Sequence, residues 1–531
     1  MMVSFGVHAQ QLNMLSDINP NGSSSPLLMN PNPSNNYALF AANDGVSGVE
    51  LYKTDGTASG TQLVKDITVG SGNSLITFLG SGNGSTYFQV RSGGNYHLYV
   101  TDGTTNGTVH LFGFNVGDKP GVFYKNRFYY ACNSPTAGNE FCSSAGTPSS
   151  TGLVEDYIPG SGSLAPFFLV KYQGFIYFRG NHATNGNELF RTDGSSTGST
   201  LVADINVGSG DSKPGPFISV GGWLYFSAND GAHGFELWRT NGTNTHMVKD
   251  INPGNTSGLS LAHELFEYKD KVYFRADDGS NGLEYWQSDG TMAGTIMLKD
   301  INPNGNGVLN PRSVLHNNEL YFAADNGVDG KELWKTNGTP SGTIMVDNLN
   351  PNGGTASIPS ICASVAGKLL FVHDDGASTG GGGTHLFELE TDASTIEKIY
   401  PTGATELNPV NTFLPLYYSV LNDKFLFGAN YDAKGSELYM YDPANTTSSF
   451  KLNAFDLDIF PNPSLDYFDI VLPPSIGQTQ LRIFDGEGKL VLTENLKSPK
   501  NRIDVKHLPA GPYSVSVENG NEVGTKMLMK Y

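Results

Sequence analysis

The sequence predicts an all-β chain: a large β-propeller of eight to nine four-stranded blades, followed by an Ig-like β-sandwich. Three observations carry that prediction. An aromatic residue closing a short apolar run recurs at Phe40, Phe88, Tyr130, Phe178, Phe226, Phe274, Phe322, Phe371 and Phe427, with a step of forty-eight residues from Phe178 to Phe322. Only 16% of the residues are charged while Gly numbers 65 and Pro 28, a composition of many turns that suits short strands better than long helices. After Asn453 the repeat stops and seven short apolar runs follow, at 457–460, 467–472, 479–484, 489–494, 502–505, 513–517 and 525–530, enough strands for a small sandwich.

Within a repeat the runs are rich in β-branched and aromatic residues and bounded by Gly, Asn, Asp and Pro, which reads as strands. Phe217–Val220, Gly221-Gly222, Trp223–Phe226, Glu236–Arg239 and His246–Lys249 show all four strands of one copy. Four antiparallel strands in some forty residues make one propeller blade. Nine copies are counted, the second and eighth being the most degenerate, so the ring is expected to have nine or eight blades.

Ten residues after most of the aromatics comes Glu-Leu-aromatic, as in Glu50-Leu51-Tyr52, Glu188-Leu189-Phe190, Glu236-Leu237-Trp238, Glu332-Leu333-Trp334 and Glu437-Leu438-Tyr439. A glutamate repeated this often is not a catalytic group; a hydrogen bond or ion pair that keeps neighbouring strands in register is expected of it. The third strand then ends in Asp-Gly or Asn-Gly at 55–56, 102–103, 193–194, 241–242, 289–290 and 337–338, the dipeptides of a type I′ turn. Asn replaces Asp at 241 and 337, so backbone conformation and not charge is the requirement there.

The run Leu12-Asn13-Met14-Leu15-Ser16-Asp17-Ile18-Asn19-Pro20 repeats the fourth-strand motif of Met297–Pro303 but precedes the first complete blade. It is expected to complete the last blade and remove the exposed sheet edges, in competition with Phe450-Lys451-Leu452.

Residues 236–243, Glu-Leu-Trp-Arg-Thr-Asn-Gly-Thr, and 332–339, Glu-Leu-Trp-Lys-Thr-Asn-Gly-Thr, resemble the ELWxxDGT repeat (hyalin-like) of secreted bacterial surface proteins, with Asn for Asp. Related copies cover most of 12–450, and the resemblance implies little about activity. The C-terminal segment resembles the type A sorting domain of the type IX secretion system of Bacteroidota at Pro461-Asn462-Pro463, at Asp485, Gly488 and Lys489, and at Leu508, Pro509, Gly511 and Tyr513, departing from it at Pro512. That resemblance implies passage through the periplasm, recognition by the outer-membrane secretion machinery, and release or anchoring at the cell surface. A generic Ig-like carbohydrate or adhesion module is the alternative reading of this segment. The expected domains are a signal-peptide remnant at 1–9, on the small-residue pattern Val7-His8-Ala9, the propeller at 10–452 and the sorting domain at 453–531. An ordinary N-terminal tail is the alternative at 1–9.

A net charge of −19 disfavours nucleic acid and anionic lipid as partners. No run reaches the eighteen or so apolar residues of a membrane span, so no transmembrane segment is expected. Cys132 and Cys142 lie on adjacent strands of one copy, as a cross-strand disulfide or as two buried thiols, and Cys362 has no partner.

Catalytic motifs are sparse. Gly194-Ser195-Ser196-Thr197-Gly198 has the spacing of a nucleophile elbow but sits at a hairpin position, and neither HExxH nor a phosphate loop is present. His263, Glu264, Arg312 and His316 fall near first strands, where an axial-channel active site would lie. The loops between second and third strands begin Asn43-Asp44-Gly45, Asn229-Asp230-Gly231, Asp277-Asp278-Gly279, Asp325-Asn326-Gly327 and Asp374-Asp375-Gly376, and share one face with the blade-to-blade connections. Asp277, Asp278, Asp374 and Asp375 are the candidate Ca2+ ligands, being paired hard oxygen donors; turns capped by their own side chains are the simpler account. No other cofactor or catalytic residue is expected. The functional expectation is a secreted or cell-surface, non-enzymatic binding or adhesion protein for a glycan or protein ligand. The alternatives are an extracellular polysaccharide hydrolase or lyase with its site in the axial channel, and a structural spacer.

Overall fold

The structure is a computed structural model describing residues 12–32, 36–92, 94–111, 115–116, 119–259, 264–349, 359–374, 384–390, 396–399, 418–430, 435–445, 453–454, 458–460, 464, 466–472, 479–484, 490–496, 500–519 and 522–530. The chain divides into two compact units, Met1–Ala444 and Asn445–Tyr531.

In the first unit the described residues form nine antiparallel sheets in chain order. Blade 1 spans 27–65, blade 2 spans 75–111, blade 3 spans 115–155, blade 4 spans 167–203 and blade 5 spans 217–249. Blade 6 spans 266–297, blade 7 spans 308–347, blade 8 spans 360–399, and blade 9 spans 418–441 together with Leu12–Ser16. Strands are lettered A to D in pairing order. Strand A of blade 3 is split into Asn115–Val116 and Val122–Tyr124, both paired with Arg127–Ser134.

Two independent observations close the ring. Leu12–Ser16 pairs with Glu437–Tyr441, Leu12 opposite Tyr441 and Met14 opposite Tyr439, so the N-terminal strand is strand D of the last blade. Every neighbouring pair of blades also shares an apolar core, including the last and the first, where Leu15, Leu421, Leu426 and Leu438 pack against Ala38, Phe40 and Tyr52. The strand competing for that slot, 450–452, lies outside the described residues. The nine repeated aromatics all sit within these cores, from 0% exposed at Phe40 to 4% at Phe427. A ring in which each blade buries its neighbour's face leaves only the short edges of strands A and D unpaired.

The turns differ from expectation. At Asp55-Gly56 and its equivalents only the glycine is left-handed, with φ of +87° at Gly56 and +90° at Gly338. The Asx side chain instead folds back, Asp55 Oδ1 accepting from Thr57 N at 2.9 Å and from Thr57 Oγ1 at 2.6 Å. This Asx turn also explains the second glycine of DGTxxGT, because a Cβ on Gly60 would stand 2.0 Å from Asp55 Oδ1. Two consecutive left-handed residues, the type I′ signature, occur at the A–B turns, as in Lys269-Asp270 and Asn317-Asn318. These turns also join blades: Tyr268 Oη donates to the carbonyl of Asn318 in the next blade at 2.7 Å.

The repeated glutamate has a different partner from the one expected. Glu236 is fully buried in strand C and accepts from the backbone N–H groups of Ile251 at 3.0 Å, Asn252 at 3.4 Å and Gly258 at 2.8 Å. Those residues belong to the connection to the next blade, not to a neighbouring strand. Glu50, Glu188 and Glu284 bind the equivalent connections. Glu437 repeats the arrangement across the ring closure, accepting from Ile18 N at 3.0 Å and Ser24 N at 2.8 Å. The connection has no strand to satisfy its N–H groups, and the buried carboxylate supplies the acceptors.

Cys132 and Cys142 are joined by a disulfide with a Cα–Cα distance of 5.7 Å, and Cys362 is a buried free thiol. In the second unit a five-stranded and a three-stranded sheet share one core that includes Phe468, Ile470, Leu481, Ile483, Ile503, Val515 and Val517. Its strands Asp458–Phe460, Tyr467–Val471, Thr479–Phe484, Leu490–Leu496, Lys500–Asp504, Gly511–Asn519 and Glu522–Lys530 follow the seven apolar runs of the sequence.

Candidate functional site

Strand polarity places the B–C loops and the D–A connections at the same end of the blades, and side-chain packing confirms it. Asn302 in the connection into blade 7 lies so close to Gly327 in that blade's B–C loop that a Cβ there would meet Asn302 Oδ1 at 2.7 Å. Asn19 with Gly45, Asn206 with Gly231 and Asn252 with Gly279 repeat the contact at 2.7–2.8 Å.

The acidic side chains of this face are largely engaged by their own turns. Asp278 Oδ1 accepts from Ser280 N at 3.0 Å and Asn281 N at 2.9 Å, and Oδ2 accepts from Asn281 Nδ2 at 2.8 Å. Burial opposes ionisation there, yet these donors outweigh it and hold the carboxyl below its usual range. Asp277 Oδ1 accepts from Gly279 N at 2.8 Å. Asp44 and Asp230 cap their loops in the same way. Of the other candidate ligands, Asp375 and the side chain of Asp374 lie outside the described residues.

One acidic group that the sequence gave no reason to single out is in blade 8. Among the described residues, Glu388, Glu390 and Glu397 are the acidic side chains that bring three oxygens within 4.8 Å of one another. Lys368 Nζ stands 3.4 Å from Glu388 and bonds Glu390, and Tyr441 Oη donates to Glu388, so a protein cation already serves this cluster.

The same face carries exposed apolar groups. Val46 and Val328 at B–C loop tips are 77% and 85% exposed, and Val69 and Val207 in D–A connections are 88% and 85% exposed. Among the described residues no other large apolar side chain reaches three-quarters exposure. The four valines lie in separate loops at one end of the ring.

Among the described residues, the axial-channel candidates have separate partners. His316 is buried and its Nδ1 lies 2.9 Å from Ser364 Oγ, joining the strand A ends of blades 7 and 8. Glu264 is exposed, Arg312 stacks on Tyr418 with 4.8 Å to the ring centroid, and His263 lies outside the described residues. Ser195 belongs to the C–D hairpin of blade 4, its N–H donating to Asp193 Oδ1 at 2.8 Å.

At the start of strand A in blade 4 the repeat is broken by a pocket of about 220 Å3, lined by residues that include Lys119, Phe167, Phe168, Pro216 and Phe217. Phe168 is left-handed, with φ of +57°, and register shifts between Phe167 and Val170. Phe167 lies opposite Arg179 in the strand pairing, and the guanidinium stacks 4.3 Å from the Phe167 ring centroid. The sequence signal for this site was the Phe167-Phe168 doublet; the arginine after the strand B aromatic is shared with blade 6, at Arg275, while blades 5 and 7 have Ser227 and Ala323.

In the C-terminal unit, Leu508 is in the core and Tyr513 Oη donates to the Pro509 carbonyl at 2.8 Å, closing the turn that contains Gly511. Pro461, Asn462, Pro463, Asp485, Gly488 and Lys489 lie outside the described residues. Among the described residues no helix is long and apolar enough to cross a membrane.

Residues 458–531 match the family described as the secretion system C-terminal sorting domain. No curated protein matches the chain. Among solved structures, a puromycin hydrolase is 11% identical with a TM-score of 0.37, covering 87% of this chain and 66% of its own. Prolyl oligopeptidase B from Galerina marginata is 11% identical with a TM-score of 0.39, covering 82% and 57%. The β-propeller domain of the Trilobed protease from Pyrococcus furiosus is 6% identical with a TM-score of 0.31, covering 62% and 99%. The chain thus spans two thirds or less of the length of the two hydrolases. The propeller assignment rests on the nine sheets and their closure.

Proposed function

We propose that the protein is a non-enzymatic binding or adhesion protein of the ELWxxDGT-repeat kind, which presents the B–C loop face of its propeller to a glycan or protein ligand. The sorting domain at 458–531 marks it for secretion or display at the cell surface, and the type IX machinery is the partner that reads it. The observation that supports the binding role is the set Val46, Val69, Val207 and Val328, each exposed in a loop or connection at one end of the ring. Apolar contacts inside a polar rim are the usual make-up of a recognition surface. A Ca2+ ion at Asp277 and Asp278, and at Asp374 and Asp375, belongs to this reading as a bridge between loop and ligand.

The test is an array of glycans and extracellular proteins probed with the full chain, with and without calcium. The expected result is retention of a ligand that is lost when Val46 and Val69 are both changed to Ser. Release of shortened saccharide products would instead support the hydrolase or lyase reading. Absence of any retained ligand would leave a structural spacer.

A further inference from the structure

The pocket beside Phe167 combines an arginine, which blade 6 repeats at Arg275, with the Phe167-Phe168 doublet and the nearby Lys119. Lys119 lies 5.3 Å from the Phe167 ring centroid, and Arg179 packs behind the rings at 4.3 Å from Phe167 and 5.4 Å from Phe168. Among the described residues, these ring contacts are the only partners of Arg179 besides the field of Asp211. Asp211 itself accepts from Asn187 at 2.9 and 3.0 Å and pairs with Lys213 at 3.2 Å. Burial opposes the charge on Arg179 and lowers its pKa. A protein of net charge −19 therefore keeps two cations around one aromatic pair, one of them without a hydrogen-bonded anion. A guanidinium in such surroundings raises the potential of the adjoining pocket and favours an anion there.

Phe168 adds a second, geometric observation. A bulky side chain at φ +57° is strained, and such outliers cluster at binding sites because the surroundings must hold them. Here Gly215 holds it, since a Cβ at that glycine would stand 2.6 Å from Phe168 Cδ2. The result is an apolar wall of Phe168, Pro216 and Phe217 beside one lining cation, Lys119, with Arg179 behind the rings. The space of about 220 Å3 suits one ring of a larger ligand, below the range of a drug-sized pocket.

Resting on the binding role above, we propose that this pocket takes a carboxylate-bearing sugar ring, a uronate unit of an acidic saccharide. Lys119 and Arg179 attract the carboxylate, and Phe168 and Pro216 pack against the apolar face of the ring. The test is calorimetric titration of the full chain with trimers of galacturonate, glucuronate and mannuronate, each as free acid and as methyl ester, and with a neutral galactose trimer. At least one free acid is expected to bind, its ester and the neutral trimer at least tenfold more weakly. Lys119→Gln and Arg179→Gln should each weaken binding about tenfold. Phe168→Gly should abolish it, the relief of the left-handed backbone offsetting part of the packing lost with the ring. Lys119 is exposed, so its variant reports even if Arg179→Gln fails to fold. Equal binding of acid and ester, binding unchanged in Lys119→Gln and Phe168→Gly, or no binding of any free acid overturns the proposal. So does an acidic peptide that occupies the pocket when no uronate does. An array ligand retained through Val46 and Val69 alone would leave the binding role standing and sink only this assignment.

Discussion

Removing the carboxylate of Glu236 should loosen the connection between blades 5 and 6 without unfolding the strands themselves. The side chain is fully buried and meets three backbone donors, Ile251, Asn252 and Gly258. A buried donor left unmet costs about 1–3 kcal/mol. Water entering the space vacated in Glu236→Ala would recover part, leaving roughly 3 kcal/mol of local destabilisation. At 1.4 kcal/mol per tenfold, that is roughly a hundredfold loss of amide protection. Hydrogen exchange read by mass spectrometry should show it over 250–259, with blade 2 unaffected. The same carboxyl predicts a pH effect. Burial, against the N–H groups of Ile251, Gly258 and Asn252, pushes its pKa up from an ordinary 4.5 to about 7. The folded state then holds the proton more tightly than the unfolded one, so its contribution to stability is full below pH 4.5 and is lost as pH rises through 7. Across that interval the loss is at most roughly 3 kcal/mol, and Glu236→Gln, which cannot titrate, should flatten that part of the wild-type profile. Unchanged exchange over 250–259 in Glu236→Ala would refute the role given to the repeated glutamate.

Three further perturbations follow from the same geometry. Deleting Leu12–Ser16 strips strand D from blade 9 and takes Leu12 and Leu15, 2% and 7% exposed, out of the cores they fill; at about 1.5–3 kcal/mol for each buried leucine lost, the thermal midpoint should fall and self-association through the uncovered strand Glu437–Tyr441 should appear in sedimentation. Gly342→Ala places a Cβ 2.1 Å from Asn337 Oδ1 and should cost about 1–3 kcal/mol in denaturant titration, whereas Gly152→Ala, with nothing within 4 Å, should be neutral. If Ca2+ binds at Asp277 and Asp278, melts in millimolar calcium should lie above those in EDTA, and the double change Asp277→Asn with Asp278→Asn should abolish the difference; coincident wild-type melts would leave these residues as turn formers.

The sequence was most legible where one residue type serves one local purpose. Aromatics such as Phe226 and Phe322 mark strand B of each blade because only a large apolar group fills the space between blades. The motif at 12–20 announced ring closure because it copies a fourth strand where no first three precede it. Legibility failed where the partner is distant or the chemistry ambiguous. Asp-Gly suits both a type I′ turn and an Asx turn, and the Thr57 donors decide for the latter. True type I′ pairs are mixed in sequence: Asn83-Gly84 and Gly221-Gly222 carry the usual glycine, whereas Lys269-Asp270 and Asn317-Asn318 contain none to betray them. The glutamate's acceptors serve residues some fifteen to twenty-two positions away in a connection without strand structure, as at Ile251 and Gly258. The pocket at Phe168 depends on a left-handed phenylalanine, which no local pattern suggests.

Export tests the account most directly, because a binding face serves an extracellular ligand only if the propeller leaves the cell. Residues 458–531 should be removed and the remaining chain followed by fractionation in a host with an active type IX system. The predicted result is a folded propeller, closed by Leu12–Ser16, that accumulates in the periplasm while the full chain reaches the surface or medium. Arrival of the truncated chain outside the cell in normal amounts would contradict it.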